Sequence, residues 1–138
     1  MRQQASARCE SSRLLVVDDD DGVRRYVARV LSEAGYQVET AASGAEGLKA
    51  VHCGATFDLI VSDVRMPQMT GPEFIAELRR QESDVKVLYL TGYVDQLFVE
   101  RETLWQDEAF LDKPCSPNSL LESVSLLLFG HLAPPAAS

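Results

Sequence analysis

The amino-acid sequence predicts an α/β fold: a single doubly wound (βα)5 domain built on a five-stranded parallel sheet. Three observations predict it. Short apolar runs alternate with amphipathic stretches along the chain, helix start signals fall between those runs, and the first and third runs read as strands buried on both faces. Right-handed crossovers then leave few topologies to choose from.

The first strand is Leu14–Val17, four aliphatic residues running directly into Asp18-Asp19-Asp20-Asp21. Asp21 suits the head of a first helix through Val23-Arg24-Arg25-Tyr26-Val27, where the helix dipole favours an acid. The second strand, Tyr36–Ala41, alternates apolar with polar residues and so belongs at a sheet edge. Ser43 followed by Glu46 predicts a capping box for a helix through about Cys53. The third strand is Phe57–Val61. Gly71-Pro72 reads as the next helix start, with proline at the first position and Gly71 permitting a tight turn after a loop stiffened by Met66-Pro67. The fourth and fifth strands are Val85–Leu90 and Ala109–Leu111. Ser116-Pro117 opens a last helix whose Leu120, Leu121, Val124, Leu127 and Leu128 recur at helical spacing. The domain spans 13–129, between a flexible N-terminal segment, 1–12, and a flexible tail, 130–138.

Composition limits the function. With 138 residues, 13 basic against 21 acidic, the net charge is −8 and no basic cluster offsets it, which argues against a nucleic-acid surface. Apolar stretches such as Leu126–Phe129 are far too short to cross a membrane, and no secretory signal is visible, so a cytoplasmic protein is expected. Cys9, Cys53 and Cys115 lack metal-ligand spacing and are expected as free thiols; His52 and His131 have no partner pattern.

The chemistry gathers at strand ends. Asp18 and Asp19 follow the first strand, Asp63 the third, Thr91 the fourth and Lys113 the fifth. All strand C-termini of a parallel sheet lie on one edge, where such sheets bind ligands, so these groups can converge. Carboxylates crowded there repel one another, and a hard cation such as Mg²⁺, which takes oxygen ligands and keeps positions open for phosphate, would relieve the repulsion. The set comprises metal-binding acids, a nucleophilic carboxylate, a hydroxyl donor and a cation. Phosphoryl transfer to an aspartate needs those groups.

Four stretches carry a resemblance to a known family: Leu14-Leu15-Val16-Val17-Asp18-Asp19, Ser62-Asp63-Val64-Arg65-Met66-Pro67-Gln68-Met69-Thr70-Gly71, Val87-Leu88-Tyr89-Leu90-Thr91-Gly92 and Phe110-Leu111-Asp112-Lys113-Pro114. In this order they resemble the response-regulator receiver domain, the phospho-acceptor module of two-component signalling, over roughly 13 to 129. The resemblance implies the flavodoxin-like strand order 2-1-3-4-5. It implies phosphorylation of Asp63 by the phosphohistidine of a sensor histidine kinase or histidine phosphotransfer protein, without further enzymatic activity. Mg²⁺ (or Mn²⁺) would be held by Asp18, Asp19, Asp63 and the backbone carbonyl of Arg65, and phosphoryl oxygens by Thr91 and Lys113. A cis Lys113-Pro114 bond is also implied. Phe110 takes the position of the switch aromatic; it is often tyrosine elsewhere, and phenylalanine offers a partner no hydroxyl. Thr91 and Phe110 would then move together past Gly92, altering a protein-docking or dimer face formed by the fourth helix, the fifth strand and the fifth helix, with Leu97, Phe98 and Trp105 on it. Arg65 and Tyr93 flank the path of attacking water and are expected to modulate hydrolysis.

Two other classes compete. Asp19-Asp20-Asp21-Gly22-Val23 fits the nucleophile motif of haloacid-dehalogenase-type phosphatases, but that family needs a second acidic pair after the lysine, and only Glu122 follows Lys113 before the tail. A receiver-like binding scaffold without phosphorylation would usually lack one of the key residues, and none is missing. Within receivers, the stretches around Met66–Glu73 and Leu88–Asp95 are similar to receivers at the C-terminus of hybrid sensor histidine kinases; a stand-alone regulator is the alternative.

Overall fold

A computed structural model describes residues 12–53, 56–81, 85–91, 108–113 and 115–130. Of the ends expected to be loose, 1–12 and 130–138, residues 1–11 and 131–138 lie outside them, whereas Ser12 is buried with its carbonyl accepting from Gln37 N at 3.1 Å and Gly130 is the left-handed cap that closes the last helix. Gly92, Tyr93, the whole 92–107 segment with its predicted helix, and Pro114 with its predicted cis bond also lie outside the described residues.

Five strands, β1 (Arg13–Val17), β2 (Gln37–Ala41), β3 (Leu59–Asp63), β4 (Lys86–Thr91) and β5 (Glu108–Asp112), pair in parallel in the order β2-β1-β3-β4-β5. Four helices are described: α1 (Asp21–Glu33), α2 (Gly44–His52), α3 (Gly71–Arg80) and α4 (Pro117–Phe129). The expected fold class and strand order are both observed.

Alternation along the strands divides the core in two. Leu15, Val17, Ile60, Val87 and Tyr89 face one side, against Phe74, Ile75 and Leu78 of α3. Leu14, Val16, Leu59, Val61, Leu88 and Leu90 face the other, against Val27 and Leu31 of α1 and Leu120 and Val124 of α4. Successive side chains on a strand point to opposite faces, so Leu14–Val17 of β1 are all apolar because the strand serves both layers. Each fully buried Leu or Val contributes about 1.5–3 kcal/mol, which fixes the register. β2, with Gln37, Glu39 and Thr40 exposed, is an edge strand as its alternation requires.

The helix starts differ in detail from the expectation. Asp21 heads α1 in its first turn, as expected, and pairs with Arg24 one turn on; the cap before it is Asp20, whose Oδ1 accepts from Val23 N at 3.1 Å. Ser43 caps α2 by accepting from Glu46 N, but the Glu46 carboxylate reaches past it to accept from Ala42 N at 3.0 Å. At α3 the cap is Thr70, whose full capping box with Glu73 places Gly71 first and Pro72 second. Ser116 caps α4 with Pro117 at the first position, as expected.

The loop after β3 also corrects an expectation. Its left-handed residue is Gln68, at φ 70°, where Met69 N donates to Pro67 O at 2.7 Å across a γ-turn. Gly71 is needed for close approach instead. A Cβ there would stand 2.2 Å from the Asp63 carbonyl oxygen and 3.0 Å from Ser62 Oγ.

Candidate phosphoryl-transfer site at the sheet edge

β1 and β3 are adjacent, so their C-terminal ends bring Asp18, Asp19 and Asp63 together although 45 residues separate Asp18 from Asp63 in sequence. One carboxylate oxygen from each lies within 4.8 Å of the others. Asp18 is fully buried and Asp63 is 5% exposed, while Asp19 faces solvent. Lys113, the residue after β5, sends its Nζ back over two strands to Asp63 Oδ1 at 2.9 Å and to Asp18 Oδ2 at 3.5 Å. The pairing of Lys113 N with Thr91 O at 2.8 Å carries the β4–β5 ladder one residue past β5 and sets where that side chain begins.

The electrostatics follow from burial. Burial pushes the Asp18 carboxyl up, against the backbone N–H of Asp20 on its Oδ1 and the nearby Lys113 charge, both of which favour the ionised form; Asp19 adds to the upward push. Burial works to lower Lys113, but the hydrogen bond to Asp63 and the charges of Asp18 and Asp63 outweigh it and hold the ammonium above its ordinary value. One ammonium faces three carboxylates. Two carboxylates within 4.8 Å of one another repel by about 3.5 kcal/mol or more at an effective dielectric of 20.

The arrangement fits a small hard cation. Asp18 Oδ2 is buried and accepts no hydrogen bond, and three carboxylate oxygens converge within coordination reach. Arg65, whose carbonyl the family resemblance places in the same shell, begins the exposed loop two residues after Asp63.

The remaining predicted residues sit at the rim. Thr91 ends β4, fully buried, one residue beyond Leu90, the register partner of Asp63. Its hydroxyl donates to Asp112 Oδ1 at 3.1 Å. Phe110 on β5 meets its register partner Tyr89 edge to face, with centroids 5.3 Å apart. An apolar cavity of about 500 Å³ opens beside Lys113, between Val23, Tyr26 and Val27 of α1 and Leu90 and Cys115.

Three supporting residues are not legible as such in the sequence. Arg24 Nη1 donates to the Asp18 carbonyl at 2.8 Å while its Nη2 pairs with Asp21, tying the acidic loop to α1. Ser62 Oγ donates to the Asp63 carbonyl at 2.9 Å in the buried strand. Asp112 holds the Thr91 hydroxyl. Only Ser62 carries a local signal, as a polar residue inside an otherwise apolar strand.

The sequence profile described as the response regulator receiver domain matches residues 14–125. The sensor kinase CckA of Brucella abortus (strain 2308) is 36% identical over 127 residues, covering 91% of this chain and 13% of that kinase. The chain spans between 13% and 25% of the length of the first curated relatives that it matches. Among solved structures, the chemotaxis response regulator CheY4 of Vibrio cholerae superposes with a TM-score of 0.74 at 38% identity, covering 85% of this chain and 98% of that one. The response regulator TrrA of Thermotoga maritima, solved in complex with Mg²⁺ and BeF, gives 0.73 at 34% identity, covering 85% and 99%.

Proposed function

Since this chain belongs to the response-regulator receiver family and is a signalling domain of two-component phosphorelays, we propose that its phospho-acceptor is the Asp63 carboxylate. The phosphatase alternative is not favoured, because the family match runs through the whole sheet and its motifs. The observation that carries the assignment is the contact of Lys113 Nζ with Asp63 Oδ1 at 2.9 Å, at an edge where Asp18 and Asp19 converge on the same carboxylate.

Receiver domains bind Mg²⁺ at an acidic pocket of this kind. Here Asp18, Asp19, Asp63 and the Arg65 carbonyl would hold it, with Mn²⁺ as a substitute of the same coordination chemistry. Bound, the cation supplies charge neutralisation to the oxygens of the transferring phosphoryl group. The chain's own residues do the rest. A carboxylate is a weak nucleophile, so rate must come from holding it in line with the donor: Lys113 fixes one oxygen of Asp63, and Ser62 and Gly71 hold its backbone. The Asp63 oxygen forms the new P–O bond as the P–N bond of the donor phosphohistidine breaks, and the leaving imidazole nitrogen takes its proton from solvent. Lys113 and the Thr91 hydroxyl then receive phosphoryl oxygens.

Receivers of this kind interact with histidine kinases or phosphotransfer proteins. The apolar cavity beside Lys113 supports a protein donor here, since it offers an apolar foothold next to the lysine that contacts the acceptor. The domain is a phospho-acceptor that catalyses only its own phosphorylation and dephosphorylation. It works in the cytoplasm, as a 13–129 unit, and it signals by moving Thr91 and Phe110. Arg65 and Tyr93 tune the phosphoryl lifetime.

Acetyl phosphate with Mg²⁺ should add one phosphoryl group to the wild-type protein and none to Asp63→Asn, read by intact mass. Equal modification of both would overturn the assignment.

A further inference from the structure

The hydroxyl that the site needs is already bound elsewhere. Thr91 and Asp112 are register partners on the parallel strands β4 and β5, so their side chains stand side by side, and Thr91 Oγ1 donates to Asp112 Oδ1 at 3.1 Å. A threonine hydroxyl has one proton to donate. It cannot be given at once to an Asp112 oxygen and to a phosphoryl oxygen on Asp63.

We propose that Asp112 is a positioning residue that holds the Thr91 hydroxyl on the β5 side and opposes its transfer to the phosphoryl group, setting how readily the phosphorylated state forms; this rests on the phospho-acceptor reading of Asp63. Thr91 is fully buried, so its hydroxyl has few alternatives to a protein acceptor, whereas Asp112 is exposed and water can replace the lost donor once Thr91 leaves. The competition is therefore between two charged acceptors for one buried donor. Strand register enforces it, because Thr91 and Asp112 stay paired as long as β4 and β5 do. Asp112 also precedes Lys113, so the residue that restrains the hydroxyl and the residue that holds Asp63 are consecutive at the end of the same strand.

Beryllofluoride, a phosphoryl mimic, tests this when titrated with saturating Mg²⁺ into wild type, Asp112→Ala and Asp112→Asn, with binding read by NMR or calorimetry and folding checked by thermal unfolding. Asp112→Ala should bind about tenfold more tightly, the scale of one hydrogen bond to a charged acceptor. Asp112→Asn, which keeps a neutral acceptor, should fall between. Loss of a negative charge could by itself favour an anionic ligand, so the decisive comparison is in a Thr91→Ala background. There Asp112→Ala should change nothing. Unchanged or weaker binding by folded Asp112→Ala, or the same tightening without Thr91, would overturn the proposal while leaving Asp63 as acceptor. Failure of the wild type to bind beryllofluoride would overturn the acceptor reading itself.

Discussion

Gly71→Ala is the substitution whose effect the structure determines most closely. A Cβ at this position would lie 2.2 Å from the Asp63 carbonyl oxygen, where ordinary contact begins at 3.4 Å, so the head of α3 must retreat from β3 by about 1.2 Å. That movement breaks the bond from Gly71 N to Val64 O, now 2.8 Å, and crowds Ser62 Oγ, the donor to the Asp63 carbonyl. Overpacking costs about 1–3 kcal/mol and the lost hydrogen bond about 0.5–1.5, against a gain of at most about 1 kcal/mol for alanine in a helix. The net loss is about 0.5–3.5 kcal/mol, centred near 2, and at that centre Tm falls by roughly 6–10 °C for a domain of this size. Because the atom crowded by the new Cβ belongs to the backbone of the acceptor, phosphorylation by acetyl phosphate should also slow by about tenfold or more. Urea unfolding followed by circular dichroism measures the first effect, and the rate of mass gain the second. A variant within about 0.5 kcal/mol of wild type, phosphorylated at the wild-type rate, would contradict this account of Gly71.

Other perturbations test the rest of the site. Asp18→Asn should raise stability in the absence of metal near neutral pH, because burial raises the folded carboxyl above its ordinary 3.8 and the charged form therefore disfavours folding. That penalty is complete above the folded value and disappears as pH falls to 3.8, so the stability difference between variant and wild type should shrink over that window, read by unfolding at a series of pH values in EDTA. The same variant should lose the stabilisation that Mg²⁺ gives the wild type. Arg24→Met removes the donor to the Asp18 carbonyl and the partner of Asp21; a stability loss of about 1–2 kcal/mol and several-fold weaker Mg²⁺ binding by calorimetry are expected, and unchanged Mg²⁺ affinity would show that Arg24 does not position the acids.

Much of the molecule is legible in the amino-acid sequence alone, for reasons that are local. Leu14–Val17 must be an inner strand because four consecutive aliphatics satisfy a sheet covered on both faces, and Gln37, Glu39 and Thr40 consign β2 to an edge. A parallel sheet then obliges Asp18, Asp19, Asp63, Thr91 and Lys113 to share one edge, which is why residues spread over the chain can be named as one site. The sequence does not say which neighbour each polar group chooses, because those choices depend on register and on distances across strands. Asp21 does head α1, but that the cap falls to Asp20 and the pair with Arg24 to Asp21 is a division of roles between neighbouring acids that the run of four aspartates does not show. Gly71 reads as a turn glycine, yet its requirement is set by the Asp63 carbonyl eight residues away, visible only once α3 is packed against β3. Thr91 is legible as a hydroxyl at a strand end, but its bond to Asp112 exists because β4 and β5 pair in one particular register. Periodicity determines which face a residue occupies; only tertiary packing, through contacts that fall off within an ångström, decides which atom its side chain meets there.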